Sequence, residues 1–140
     1  MKKDDLKILW VEDSIGDILL IKEAFAQVGL THRIDVLSDG TDALNYLLLR
    51  GRYQRASRPD LIILDLNLPG VSGRDIMKEI KNDANLMNIP LVVLTSSNAD
   101  RDVLEGFDIS RCLYLVKPTT FDDLVKIAGQ IRDFLLSLSK

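Results

Sequence analysis

A chain of 140 residues fits one ordinary domain, and its 46% apolar and 28% charged residues can build a buried core. The net charge of −3 counts against general nucleic-acid binding, which favours basic surfaces. The single cysteine, Cys112, excludes an intrachain disulfide, and the single histidine, His32, excludes a multi-histidine metal centre. No apolar run approaches the roughly 18 residues that suggest a membrane span. Met1-Lys2-Lys3-Asp4-Asp5 is too polar and acidic for a signal peptide, so a soluble cytoplasmic protein is expected.

The first apolar run, Leu6 to Val11, ends at Glu12-Asp13 and reads as a strand buried on both faces. Ser14 caps a predicted helix reaching about Val28, with Gly29 as its stop. Ile18, Ile21, Phe25 and Val28 form one stripe on it. Arg33 to Leu37 alternates polar and apolar residues, as an edge strand does. Thr41 to Arg50 is a second helix, closed by Gly51. The loop from Arg50 to Asp60 carries four arginines and reads as solvated. Leu61 to Leu64 is a third strand, ending at Asp65, and Ser72 to about Asn82 a third helix. Leu91 to Leu94 is a fourth strand, ending at Thr95. A short helix is expected from Ala99 to about Phe107. Cys112 to Val116 is a fifth strand, ending at Lys117-Pro118, and Cys112 reads as a small core residue. The last helix runs from Thr120 or Phe121 to about Leu138. The alternation is (βα)5, which implies a doubly wound parallel sheet in a single domain, residues 1–140, with no second domain.

In an open α/β sheet, sites form outside the carboxyl ends of the strands. Those ends hold Glu12, Asp13, Asp65, Thr95 and Lys117. Three carboxylates brought together repel one another and hold protons or a cation. Oxygen ligands without histidine or cysteine favour Mg²⁺. Asp65 could attack phosphorus and form an aspartyl phosphate, with metal and Lys117 stabilising the transferring group. Each residue alone has a plainer reading: a turn or cap for the acids and Thr95, a solvated side chain for Lys117. Their combination at four strand ends, in this order, is what points to chemistry.

These motifs resemble, end to end, the receiver domain of two-component response regulators. The match lies in Glu12-Asp13, in Asp65-Leu66-Asn67-Leu68-Pro69-Gly70 with Gly73 beyond, in Thr95-Ser96, in Lys117-Pro118, and in Tyr114 three residues before the lysine. The likeness is greatest to small, stand-alone receivers, including those paired with bacterial phytochrome kinases, notably over Tyr46 to Leu68. The resemblance implies a flavodoxin-like sheet of order 2-1-3-4-5. It implies that Asp65 accepts a phosphoryl group from the phosphohistidine of a sensor histidine kinase. It further implies Mg²⁺ on Asp13, Asp65 and the Asn67 carbonyl, with Glu12 acting mostly through water. Thr95 and Lys117 would grip the phosphoryl oxygens, Thr95 and Tyr114 would reorient together, and the Lys117–Pro118 bond would be cis. Glutamate at position 12 departs from the commoner Asp-Asp pair and moves one carboxylate.

With no DNA-binding segment, output is expected through a downstream protein target or another phosphocarrier, without direct contact to nucleic acid or membrane. The last helix carries Val125, Ile127, Phe134 and Leu136 beyond its core stripe, which suggests a homodimer or partner face formed by the fourth helix, fifth strand and fifth helix. Neither Asn67 nor Ser97 is an acid or base that could activate water, so slow loss of phosphate is expected. Two other classes compete. A dehalogenase-like phosphohydrolase also uses an aspartate nucleophile, but its family expects a second acid where Asn67 stands. A phosphorylation-independent interaction module would be favoured by loss of the key aspartate or lysine, and both are present.

Overall fold

The computed structural model describes residues 6–30, 33–96 and 98–138, the side chains of residues 98–100 and 109 excepted. Met1 to Asp5, His32 and Ser97, all considered above, lie outside the described residues. The strands are β1 (Lys7–Val11), β2 (Arg33–Leu37), β3 (Leu61–Asp65), β4 (Leu91–Thr95) and β5 (Cys112–Val116). The α-helices are α1 (Ile15–Gln27), α2 (Gly40–Leu47), α3 (Gly73–Asn82) and α4 (Phe121–Leu138). The strands form one sheet of order β2-β1-β3-β4-β5, and every pairing is parallel. This is the doubly wound parallel sheet that the strand-helix alternation predicts, in the flavodoxin-like order that the resemblance implies.

The three inner strands β1, β3 and β4 are buried along their whole length, which accounts for their unbroken apolar runs. β2 lies at one edge, as its alternation predicts, and is only partly buried. β5 lies at the other edge, and its last residue Val116 is exposed. The two-residue period of a strand divides the core into two layers. Ile8, Trp10, Leu61, Ile63, Val92 and Leu94 face Ile21 and Phe25 of α1 and Ile131 of α4. Leu9, Val11, Ile62, Leu64, Val93 and Tyr114 face Tyr46 and Leu47 of α2 and Ile76 and Ile80 of α3.

Helix ends follow local chemistry. Ser14 caps α1 by accepting from the Asp17 N–H, and Ser72 caps α3 by accepting from the Asp75 N–H. Gly29 ends α1 in the left-handed conformation, as expected, and the Leu30 N–H closes back on the Phe25 carbonyl. α2 departs from the expected Thr41 to Arg50. It begins at Gly40 under an Asp39 cap and ends at Leu47. The stop is Leu49, at φ 55°, with the Arg50 N–H returning to the Asn45 carbonyl. A leucine in a glycine-favoured conformation carries no sequence signal.

The expected fourth α-helix is instead a 3-10 segment, Asn98–Leu104. Bonds from Glu105 to Asp102 and from Phe107 to Leu104 keep the same three-residue spacing beyond it. With apolar residues only near its end, this stretch has too narrow a stripe to seat a full α-helix. The arginine loop is partly tied down: Arg52 pairs with Asp42, and Arg58 Nε donates to the Leu47 carbonyl. Burial pushes the Cys112 thiol up to about 11, which suits an inert packing residue. No helix among the described residues is long and apolar enough to cross a membrane.

Candidate functional site

The order of the sheet reverses around β1, whose neighbours are β2 and β3, and the site opens at the carboxyl ends of β1, β3, β4 and β5. Glu12 follows β1 directly and is fully buried. Its backbone N–H continues the β1–β2 ladder to the Leu37 carbonyl, and its Oε2 accepts from the Ser14 N–H at 3.2 Å. Asp13 beside it is exposed. Asp65 ends β3 and is 4% exposed, with Oδ1 accepting the Asn67 N–H at 3.0 Å. Glu12, Asp13 and Asp65 each offer a carboxylate oxygen within 4.8 Å of the others.

Lys117 enters this acidic cluster from the end of β5. Its backbone N–H is fixed to the Thr95 carbonyl at 2.7 Å. Its Nζ lies 2.6 Å from Glu12 Oε1, 3.0 Å from Asp65 Oδ2 and 3.1 Å from Asp17 Oδ2. The contacts to Asp65 and Asp17 are directed hydrogen bonds. The Glu12 contact is a close ion pair without that alignment, so the buried Oε1 keeps an unfilled lone pair. Burial pushes the Glu12 carboxyl up to about 7; the Lys117 ammonium opposes the rise and the Asp65 charge adds to it. Burial works against the Lys117 ammonium, but Glu12 and Asp65 outweigh it and hold the lysine above its ordinary value.

The loop after Asp65 is braced from α2. The Gly40 N–H donates to the Pro69 carbonyl at 3.0 Å, and the Val71 N–H donates to Thr41 Oγ1 at 3.2 Å. A Cβ on Gly40 would stand 1.7 Å from the Val71 carbonyl oxygen, so only glycine permits this approach. Gly73 is also confined, though less tightly, since its Cβ would lie 2.5 Å from Leu66 Cα and 2.7 Å from the Asp65 carbonyl oxygen.

Thr95 is fully buried at the end of β4, and Tyr114 of β5 is 8% exposed, with the Arg101 guanidinium 5.1 Å above its ring. The strand period puts Thr95 on the face of Val93, which is also the face of Tyr114. Lys117–Pro118 departs from expectation: there is no cis peptide among the described residues, so this bond is trans. Trans is the lower-energy form of an X–Pro bond by about 0.5–1 kcal/mol, so a cis form needs a specific constraint.

Of the residues that the sequence places at the strand ends, the structure thus gathers Glu12, Asp13, Asp65 and Lys117. Asp17 was missed. An acid in the first turn of a helix reads as a complement to the helix dipole, yet its place just after Glu12-Asp13 sets it at the same strand end. The exposed apolar residues of α1 were missed too: Ile15, Leu19 and Leu20 stand out of the core, and Leu20 lines the cleft beside Asp17 and Lys117. On α4, Val125, Ile127 and Phe134 are half-buried against the core layer.

Residues 8–129 match the response regulator receiver domain family. The chain belongs to that family. Receiver proteins of similar sequence include response regulator Rcp1 of Synechocystis sp., 40% identical over 129 residues, covering 92% of this chain and 88% of Rcp1. The probable methanogenesis regulatory protein FilR2 of Methanothrix harundinacea is 38% identical over 138 residues, covering 99% of this chain and 88% of FilR2. The crystal structure of the phosphorylated cyanobacterial phytochrome response regulator RcpA superposes with a TM-score of 0.84 at 42% identity, over 97% of both chains. The Mn²⁺-bound form of Rcp1 superposes with a TM-score of 0.81 at 39% identity, over 92% of this chain and 93% of Rcp1. This receiver therefore shares its fold with response regulators of two-component systems.

Proposed function

We propose that this receiver accepts a phosphoryl group on Asp65 from the phosphohistidine of a sensor histidine kinase and signals through a protein contact. The observation that carries this reading is Asp65 at the end of the central strand, buried, hydrogen-bonded to Lys117 and flanked by Glu12 and Asp13. An Asp65 carboxylate oxygen attacks phosphorus and the O–P bond forms. The P–N bond to the kinase imidazole breaks, and its electron pair leaves with the ring, which takes up a proton. Asn67 orients the nucleophile through its N–H on Oδ1, and Lys117 holds the other oxygen. As the phosphoryl group forms, Lys117 is placed to take its negative oxygens.

The donors fit a hard divalent cation: all are oxygens, they converge, and one buried Glu12 oxygen has an unfilled lone pair. Glu12, Asp13 and Asp65, with the Asn67 carbonyl, would hold Mg²⁺, which when bound neutralises charge on the phosphoryl oxygens. The Mn²⁺-bound form of the similar Rcp1 agrees with this. Thr95 and Tyr114 on one sheet face are the groups proposed to reorient in response. The exposed apolar residues Ile15, Leu19 and Leu20 of α1, the helix that carries Asp17, suit a partner's helical surface, and the phytochrome-linked RcpA makes a phytochrome-type kinase the favoured partner. A homodimer over the 3-10 segment, β5 and α4 belongs to the same proposal, with exposed Val116 in its support.

The test is incubation with Mg²⁺ and acetyl phosphate, with and without EDTA, followed by intact mass and assay of released phosphate. One added phosphoryl group, lost with EDTA, is expected. An unchanged mass with no phosphate released in Mg²⁺ would overturn the reading.

The Glu12 carboxyl gives a pH prediction. Its folded value of about 7 lies above its ordinary 4.5, so the folded state binds the extra proton. That contribution is complete below about pH 4.5 and is lost as pH rises towards 7, on the order of 3 kcal/mol. Denaturant unfolding without Mg²⁺ should show wild type losing stability relative to Glu12→Gln over this window. Saturating Mg²⁺ should recover the loss, more at pH 8 than at pH 5. Parallel curves for the two proteins would refute the shift.

A further inference from the structure

We propose that Asp17 is a positioning residue that competes with the phosphoryl group for the Lys117 ammonium, and so brakes both loading and retention of phosphate. The inference rests on Asp65 being the phosphoacceptor. The ordinary task of an acid in a first helical turn is met near its own backbone, where the Asp17 N–H already engages Ser14 Oγ. Its carboxylate does something else. Oδ2 reaches Lys117 Nζ at 3.1 Å, across 100 residues of sequence.

An ammonium has three N–H groups. Asp65 and Asp17 each accept one, and Glu12 crowds the third at 2.6 Å. Two of the three N–H groups are therefore already committed, and an incoming anion must compete for them or approach the third beside Glu12. Two of these three carboxylates change role when the site is loaded. Asp65 becomes the acyl phosphate, and Glu12 belongs to the cluster that suits a cation. Asp17 is outside that cluster, so it remains an anion on the lysine when the phosphoryl group arrives. The new oxygens must share or displace it, because Asp17 Oδ2 and Asp65 Oδ2 meet the same ammonium at 3.1 and 3.0 Å. Asp17 is 44% exposed on its side chain, so water screens the repulsion and the carboxylate can swing aside. The brake is thus several-fold, not absolute.

The test compares wild type, Asp17→Asn, Asp17→Glu and Asp65→Asn, all with Mg²⁺. Beryllofluoride, a non-covalent phosphoryl mimic, is titrated and followed by backbone amide shifts; acetyl phosphate loading and decay are followed by intact mass. Asp17→Asn should bind beryllofluoride, load and retain phosphate better than wild type by about 3- to 10-fold. Asp17→Glu should return towards wild type, and the Asn advantage should shrink as KCl is raised. Equal or weaker behaviour of Asp17→Asn, or an advantage indifferent to salt, overturns the brake while leaving the receiver reading intact. Failure of wild type to take up either probe overturns the receiver reading, and the role of Asp17 with it.

Discussion

Asp65→Asn is expected to acquire no phosphoryl group from acetyl phosphate under conditions that load wild type fully. An amide oxygen of the same shape is too weak a nucleophile, so the loss should be complete and not partial. The fold should survive. Asp65 lies among Glu12 and Asp13, and removing its charge relieves repulsion that lifts the Glu12 carboxyl. The Asn67 N–H and Lys117 engage different oxygens of Asp65, so the single amide oxygen can keep one of these two bonds. Stability should change by no more than about 1 kcal/mol, and the Glu12 carboxyl should titrate lower than in wild type. Intact mass and denaturant unfolding measure the two effects separately. Persistent phosphorylation of the variant would move the acceptor to another acid, with Asp13 the first to examine.

Gly40→Ala should be the most damaging single methyl in the chain. Its Cβ would lie 1.7 Å from the Val71 carbonyl oxygen, 2.8 Å from the Val71 carbonyl carbon and 3.3 Å from the Pro69 carbonyl oxygen. These are backbone atoms, so no side-chain rotation relieves the clash. α2 and the loop after Asp65 must separate, breaking the Gly40 N–H bond to Pro69 and straining the Val71 bond to Thr41. The expected cost is about 3 kcal/mol. Loading of Asp65 should also slow, because the same loop carries Asn67. Gly16→Ala is the control. Nothing lies within 4 Å of its Cβ, and a helical alanine should stabilise by roughly 0.5–1 kcal/mol. Equal unfolding midpoints for the two variants would show that the close approach at Gly40 does not exist.

The sequence discloses what is repeated or local. The runs before Glu12, Asp65 and Thr95 are legible as strands because both faces are buried, and Ser14 and Ser72 announce their helices because capping is settled within three residues. The gathering of Glu12, Asp13, Asp65 and Lys117 follows from parallel strands that end at one edge of the sheet. What stays hidden depends on distant partners. Nothing near Asp17 predicts that its carboxylate meets a lysine from β5, and nothing near Gly40 predicts a carbonyl pressed against it. The 3-10 segment and Leu49 were misread for a related reason. A spacing of three or four residues suggests an α-helix, and glycine suggests the stop, until packing and the actual chain path decide otherwise.

The division of the core into two layers has a consequence for how a signal would travel. By strand alternation, Glu12, Asp65 and Lys117 continue the rows that face α1 and α4, while Thr95 and Tyr114 belong to the rows that face α2 and α3. The sheet therefore separates the acceptor, its buried neighbour Glu12 and Lys117 from Tyr114, while Asp13 and Thr95 continue the second set of rows to the same strand ends. A signal from Asp65 to Tyr114 would then cross at the strand-end rim, where Asp13 and Thr95 stand, and not through the packed apolar rows. Chemistry and readout can then drift apart in evolution, each side repacked for a new kinase or a new listener, so long as that rim is left alone.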